Sequence, residues 1–238
     1  MGKNPEGAAM ELNVIGDIAG QCEALEKLVS KMPKCPVLSV GDMVDRGPNS
    51  KGVLDFFMQG GNLAILGNHE NMLVDAYRKT DMYEPGLWLN QNGGFKTIES
   101  FVEGVEGVEI EDVPKYAIPE KYVTWLEGLP LYLQEGGLFV SHAPKNPNWT
   151  MEQCCNLGKG FWKVDGYEFY RNGDTILWNR GTPRRMKGYT QIFGHNSSKS
   201  VTYHRDKQGV FAICNDTSRA NILTGVHWPS LEVCQVEY

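Results

Sequence analysis

Three short apolar runs, Leu12-Asn13-Val14-Ile15, Val37-Leu38-Ser39-Val40 and Leu63-Ala64-Ile65-Leu66, each break into a glycine-led polar loop that a helical stretch follows. The loops are Gly16-Asp17-Ile18-Ala19-Gly20-Gln21, Gly41-Asp42-Met43-Val44-Asp45-Arg46-Gly47 and Gly67-Asn68-His69-Glu70. The first helical stretch, residues 22–31, sets Ala24, Leu25, Leu28 and Val29 on one face, and Pro33 closes it. The second spans 50–59 and ends at Gly60-Gly61, and the third runs through Tyr77. Three repeats of strand, loop and helix predict parallel strands joined by right-handed crossovers. In such a sheet ligands gather at the carboxyl ends of the strands, where all three polar loops fall.

The remainder of the chain reads differently. Pro85, Gly86, Gly93-Gly94 and an acidic stretch from Glu99 to Asp112 interrupt the helical periodicity between about 80 and 127. This segment is expected to be a mostly helical cap insert over one face of the site, without a core of its own. Beyond it, short strands are expected at 131–134, 138–141, 191–193, 201–204, 210–213, 222–224 and 231–236. Their close spacing predicts a second, mixed or antiparallel sheet. The resulting class is α/β, a four-layer αββα sandwich of two mixed sheets flanked by helices. Residues 1–10 read as a flexible lead-in and 11–238 as one domain, which suits a chain of 238 residues.

Composition limits the partners. A formal net charge of −6 provides no global basic field, so nucleic acid and anionic membranes are poor candidates. Six cysteines show no zinc-type or C-x-x-C spacing and read as reduced thiols of a cytoplasmic protein. The first ten residues contain no apolar signal region, and no window approaches the roughly 18 apolar residues of a membrane span.

Polar residues that directly follow expected strands form one set: Asp17, Asp42, Asn68, His69, His142 and His195. Mixed oxygen and imidazole donors suit manganese, iron or zinc better than calcium, with manganese the first expectation. One carboxylate shared by two ions about 3.5–4 Å apart makes a phosphoester site. Asp42, from the central strand, is the candidate bridge.

The ordered segments GDIAG (16–20), GDMVDRG (41–47), GNHE (67–70), SHA (141–143) and GH (194–195) resemble the calcineurin-like metallophosphoesterases. Within these, the chain is most similar to the phosphoprotein phosphatase branch, which includes lambda-type phosphatases and symmetrical diadenosine tetraphosphatases. The resemblance spans roughly residues 12–225 and implies the same four-layer fold. It implies that Asp17 and Asp42 bind a first metal, with Asp42 bridging to a second held by Asn68, His142 and His195. It further implies in-line attack on phosphorus by a water-derived nucleophile. His69 would protonate the leaving oxygen, Asp45 would orient that imidazole, and Arg46 would grip the phosphoryl oxygens. Trp178-Asn179-Arg180 resembles the segment that supplies a second phosphate-binding arginine, here Arg180. Arg184 and Arg185 read as a solvated basic turn.

One departure stands out. Where the family pattern has a metal-ligand histidine, this chain has Ala19, whose methyl group has no lone pair to donate. The chain is then a natural variant with weak first-metal binding, a degenerate binding protein, or an enzyme whose ligand was replaced. Substrate signals are split. Leu66-Gly67 before the third motif resembles the tetraphosphatases, whereas Leu177-Trp178-Asn179-Arg180 resembles the lambda type. The expected activity is metal-dependent hydrolysis of phosphomonoesters, with phosphoserine and phosphothreonine proteins as the first substrate class. Symmetrical dinucleoside tetraphosphate hydrolysis and silent phosphate binding are the alternatives. Oligomeric state is not encoded in any of these features.

Overall fold

The computed structural model of the protein describes residues 10–80, 85–155, 162–164, 167–169 and 175–238. All but the last residue of the expected lead-in lies outside them. The repeat opens the fold as β1 (Leu12–Ile15), α1 (Cys22–Lys31), β2 (Val37–Ser39), α2 (Ser50–Met58), β3 (Leu63–Ala64) and α3 (Asn68–Arg78). β1, β2 and β3 are parallel neighbours, as the repeat requires. Helices α4 (Pro85–Gln91), α5 (Gly94–Glu99), α6 (Val113–Ala117) and α7 (Glu120–Glu127) follow. Then come β4 (Tyr132–Glu135), β5 (Leu138–Ser141), α8 (Met151–Cys155), β6 (Trp162–Val164) and β7 (Tyr167–Phe169). The chain closes with β8 (Thr190–Phe193), β9 (Thr202–Asp206), β10 (Gly209–Cys214), β11 (Ile222–Trp228) and β12 (Glu232–Glu237).

Two mixed sheets result, ordered β12-β11-β1-β2-β3 and β4-β5-β8-β10-β9. Side chains alternate across the strands with period two, which assigns each to a layer. Leu12, Val14, Leu38, Val40 and Ile65 of the first sheet and its loops meet Leu138, Val140, Ile192 and Ile213 of the second in the core between the sheets. Ile15 and Val37 point the other way, into the core under α1, α2 and α3. Buried residues of α4 to α7, among them Trp88, Ile98, Tyr122 and Leu126, join that same core. The outer face of the second sheet is covered more thinly, where Phe139 of β5 packs with Cys154 of α8 and Ile176.

The last two strands correct the sequence reading, which placed them in the second sheet. β11 instead runs antiparallel to β1, from Leu12↔Trp228 to Ile15↔Gly225, and β12 pairs with β11. Without β11 the outer edge of β1 would present a row of unpaired backbone groups, and Val226 would have no inter-sheet core to enter. β6 and β7 pair as a separate antiparallel ribbon that the sequence reading does not anticipate.

Ile192 is fully buried between the sheets. Ile192→Ala removes three carbons from a close-packed layer and should lower unfolding free energy by about 2–5 kcal/mol. Urea denaturation followed by tryptophan fluorescence measures this, and a loss below about 1 kcal/mol would contradict the packing described.

Candidate active site

Asp17, Asp42, Asp45, Arg46, Asn68, His69, His142 and His195 lie in loops or at a helix start beyond the carboxyl ends of β1, β2, β3, β5 and β8, whereas Arg180 lies between β7 and β8. Asp42 follows β2 in left-handed backbone, with φ of 51°. Its Oδ1 accepts the His69 N–H at 3.0 Å, at the N-terminus of α3, where the helix dipole favours an anion. Burial opposes ionisation of Asp42, but the His142 and His69 rings and that N–H hold its carboxyl at about 2.

His142 follows β5 and crosses to the other sheet, its Nδ1–H donating to the Val40 carbonyl at 3.0 Å. Its Nε2 is therefore a bare lone pair. That nitrogen lies 2.8 Å from Asn68 Oδ1 and 3.4 Å from Asp42 Oδ1. His195 follows β8 with φ of 61°. Its Nδ1 stands 2.9 Å from Asn68 Oδ1 and 3.2 Å from His142 Nε2, while its buried Nε2 makes no hydrogen bond of good geometry among the described residues. Burial lowers the His142 imidazole, and burial followed by His142 pushes His195 down to about 3. Both rings are thus neutral bases at physiological pH. One donor atom each from Asp42, His142 and His195 fall within 4.8 Å of one another. With the Asn68 amide oxygen beside them, this donor set fits one divalent first-row metal.

The Asp17 side of the rim is built differently. Both Asp17 oxygens accept the His195 N–H, at 3.1 and 3.2 Å, tying the end of β1 to the end of β8. Gly194 makes this possible, because a Cβ there would collide with Asp17 Oδ1. The Asp17 carboxyl faces Asp216; burial, then Asp216 and Asp42, push it well above the usual carboxylate range. Ala19 is buried at φ of 48°, its N–H donating to the Asp42 carbonyl at 2.8 Å and its own carbonyl accepting Gly47 N–H at 2.9 Å. Its backbone thus shapes the loop, while its methyl offers no donor. Among the described residues, Asp17 does not join the group of Asp42, His142 and His195.

Beside the donor cluster lies a hydrogen-bonded chain of Arg46, His69 and Asp45. Arg46 Nη2 donates to His69 Nε2 at 2.8 Å, and His69 Nδ1 lies 2.6 Å from Asp45 Oδ2. A guanidinium can only donate, so Nε2 accepts and Nδ1–H donates to Asp45. Burial lowers the His69 imidazole, but Asp42 and then Asp45 outweigh it and raise it overall. Arg180 stands at the exposed rim, its Nη1 donating to the His195 carbonyl at 3.1 Å. Ala19, Asp42, Asp45, Arg46 and His195 all have positive φ without being glycine. Such backbone costs about 1–3 kcal/mol per residue and collects at functional sites.

One structural residue was quoted in the motifs but given no role. Glu70 is fully buried, and its carboxylate accepts Asp42 N–H at 2.8 Å, Met43 N–H at 2.7 Å, Val44 N–H at 3.2 Å and Gly67 N–H at 2.9 Å. The signal that could have found it is its place at the third helical position after Gly67, where a glutamate folds back on the helix start.

A sequence model of the calcineurin-like phosphoesterases matches residues 10–218. A symmetrical bis(5'-nucleosyl)-tetraphosphatase of Ralstonia nicotianae is 28% identical over 148 residues, covering 60% of this chain and 45% of that protein. Serine/threonine-protein phosphatase 1 of Salmonella typhimurium is 39% identical over 85 residues, covering 34% of this chain and 38% of the relative. The chain thus spans about half the length, or less, of the curated relatives it matches. The solved structure of a candidate diadenosine tetraphosphatase superposes with a TM-score of 0.64 at 19% identity, covering 98% of this chain and 96% of that one.

Folded His195 is held at about 3, against an ordinary imidazole value of 6.5 in the unfolded chain. Its contribution to stability is therefore full above about pH 6.5 and is lost as pH falls toward 3. In chelator-treated protein, His195→Asn should lose less stability between pH 7 and 5 than the parent, by on the order of 1–2 kcal/mol. Urea titrations at the two pH values provide the measurement, and equal losses would show that His195 is not depressed.

Proposed function

Because this chain belongs to the calcineurin-like phosphoesterases, we propose that it hydrolyses phosphomonoesters in a metal-dependent reaction, with phosphoserine and phosphothreonine side chains as its substrate class. The observation that carries the reading is the buried convergence of Asp42, Asn68, His142 and His195 beside the Arg46–His69–Asp45 chain. Asp42, Asn68, His142 and His195 would hold a divalent ion, with manganese the proposed one, which when bound would supply positive charge to phosphoryl oxygens and lower the pKa of water.

The protein groups divide the remaining work. Arg46 and Arg180 stand where a phosphoryl group above the donor cluster would meet two guanidinium forks. When Arg46 turns to that group it releases His69 Nε2, which then takes up a proton and passes it to the leaving oxygen. Asp45 keeps the ring oriented through Nδ1–H and favours the imidazolium. Asn68 lies at the start of α3, so its amide is aimed by the helix that carries His69. The Asp17 side presents the facing carboxyls of Asp17 and Asp216 and the buried methyl of Ala19. We propose that Ala19 weakens metal binding on that side and limits turnover. The cytoplasm is the proposed compartment, on the strength of six free thiols.

A second reading, symmetrical dinucleoside tetraphosphate hydrolysis, is favoured by Leu66 before the third motif and by the named activity of the Ralstonia relative.

Phosphate release from an aryl phosphate and a phosphopeptide, and formation of ADP from diadenosine tetraphosphate, each with added manganese, separate the readings. Turnover of the first two is expected, and cleavage of the dinucleotide alone would overturn the assignment. Ala19→His should raise bound metal toward two ions per chain and turnover by about 10- to 100-fold. Phosphate binding without turnover in both proteins would make the chain a binding module.

A further inference from the structure

Helices α4 and α5 lie outside the strand-end loops in the chain, yet two of their side chains end on the Asp45 carboxylate. The Trp88 indole N–H donates to Oδ2 at 2.9 Å, and the Thr97 hydroxyl donates to Oδ1 at 2.7 Å. All three residues are fully buried. The backbone is held by the same segment. Asp45 N–H reaches Thr97 Oγ1 at 2.9 Å and Ser50 Oγ at 3.0 Å, and Arg46 N–H donates to the Gly93 carbonyl at 3.2 Å. Gly93 has φ of 91°, and a Cβ there would run into the Arg46 backbone.

A tryptophan serving the core alone would need only its ring, and a buried threonine alone would bond a nearby carbonyl. Here both polar hydrogens are spent on one carboxylate that also receives His69 Nδ1–H at 2.6 Å. A carboxylate held by one imidazole can turn about its own axis and carry the ring with it. Donors fixed on both oxygens remove that freedom. Asp45 and Arg46, both in left-handed backbone, also need neighbours that over-determine them.

We propose that Trp88 and Thr97 are positioning residues for the proposed hydrolysis, fixing Asp45 so that His69 Nε2 faces the cleft and Arg46 stays within reach of it. The inference rests on the phosphoesterase reading given above. It gives the 85–99 segment a part in leaving-group protonation, reached through contacts 43 and 52 residues away in the chain.

The test uses the full chain with manganese and three variants, Trp88→Phe, Thr97→Val and Thr97→Ser. Phenyl phosphate needs a proton on its leaving oxygen, and 2,4-dinitrophenyl phosphate does not. Trp88→Phe and Thr97→Val should lower kcat on phenyl phosphate by about tenfold or more, with KM unchanged and the dinitrophenyl ester within about twofold. Thr97→Ser, which keeps the hydroxyl, should restore the phenyl rate. Equal losses on both esters, or losses that follow Tm, would overturn the proposal.

A second readout needs no turnover. Nitrogen NMR of the unchanged chain should show His69 protonated at Nδ1 and bare at Nε2, and Trp88→Phe and Thr97→Val should mix the two tautomers. An unchanged tautomer in both variants overturns the proposal. Absence of phosphate release from the unchanged chain defeats the phosphoesterase reading alone, and the tautomer measurement then decides.

Discussion

Four backbone N–H groups converge on the buried carboxylate of Glu70, and the geometry of the rim depends on that arrangement. Gly67 N–H belongs to the start of α3, whereas Asp42, Met43 and Val44 N–H belong to the loop after β2. One side chain thereby locks two strand-end loops together. It satisfies donors at a left-handed turn that no regular element could pair, and unpaired buried donors cost about 1–3 kcal/mol each. Burial, followed by the Asp42 carboxylate, pushes Glu70 itself up to about 7, so the same charge that orders the loop is held against its environment. Asp42 in turn receives the His69 N–H, which places the donor cluster and His69 on one frame.

Around that frame the molecule tolerates strain and a poorly paired polar atom that an ordinary core excludes. Left-handed backbone at Ala19, Asp42, Asp45, Arg46 and His195, together with His195 Nε2, lies within one rim. These costs are balanced by the inter-sheet core beneath, where Val14, Leu38, Val40 and Ile65 of one side meet Leu138, Val140, Ile192 and Ile213 of the other. The rim is asymmetric. Its His142–His195 side converges on one point, while its Asp17 side has two facing carboxyls and the methyl of Ala19. The backbone of Ala19 ties this loop to its neighbours, bonding to Asp42 and Gly47.

Much of this was legible in the chain. The parallel β1-β2-β3 unit follows from local periodicity and loop chemistry, as does the placement of Asp17, Asp42, Asn68, His69, His142 and His195 at strand ends. Each rests on residues close in sequence. The placement of β11 was not legible, because antiparallel strands of similar composition can complete either sheet. Only the open edge of β1 and the inter-sheet position of Val226 choose between them. Nothing near Trp88 or Thr97 in sequence announces a carboxylate 43 or 52 positions away.

The sequence alone determined the family, the sheet-forming repeat, the donor types and the missing imidazole at Ala19, because each is a matter of residue identity and short spacing. Tertiary structure alone decided which lone pairs meet, which nitrogen of His69 is bare, which sheet receives the last strands and which helices hold Asp45. Those outcomes depend on distances between residues far apart in the chain, and hydrogen bonds and lone pairs discriminate at tenths of an ångström.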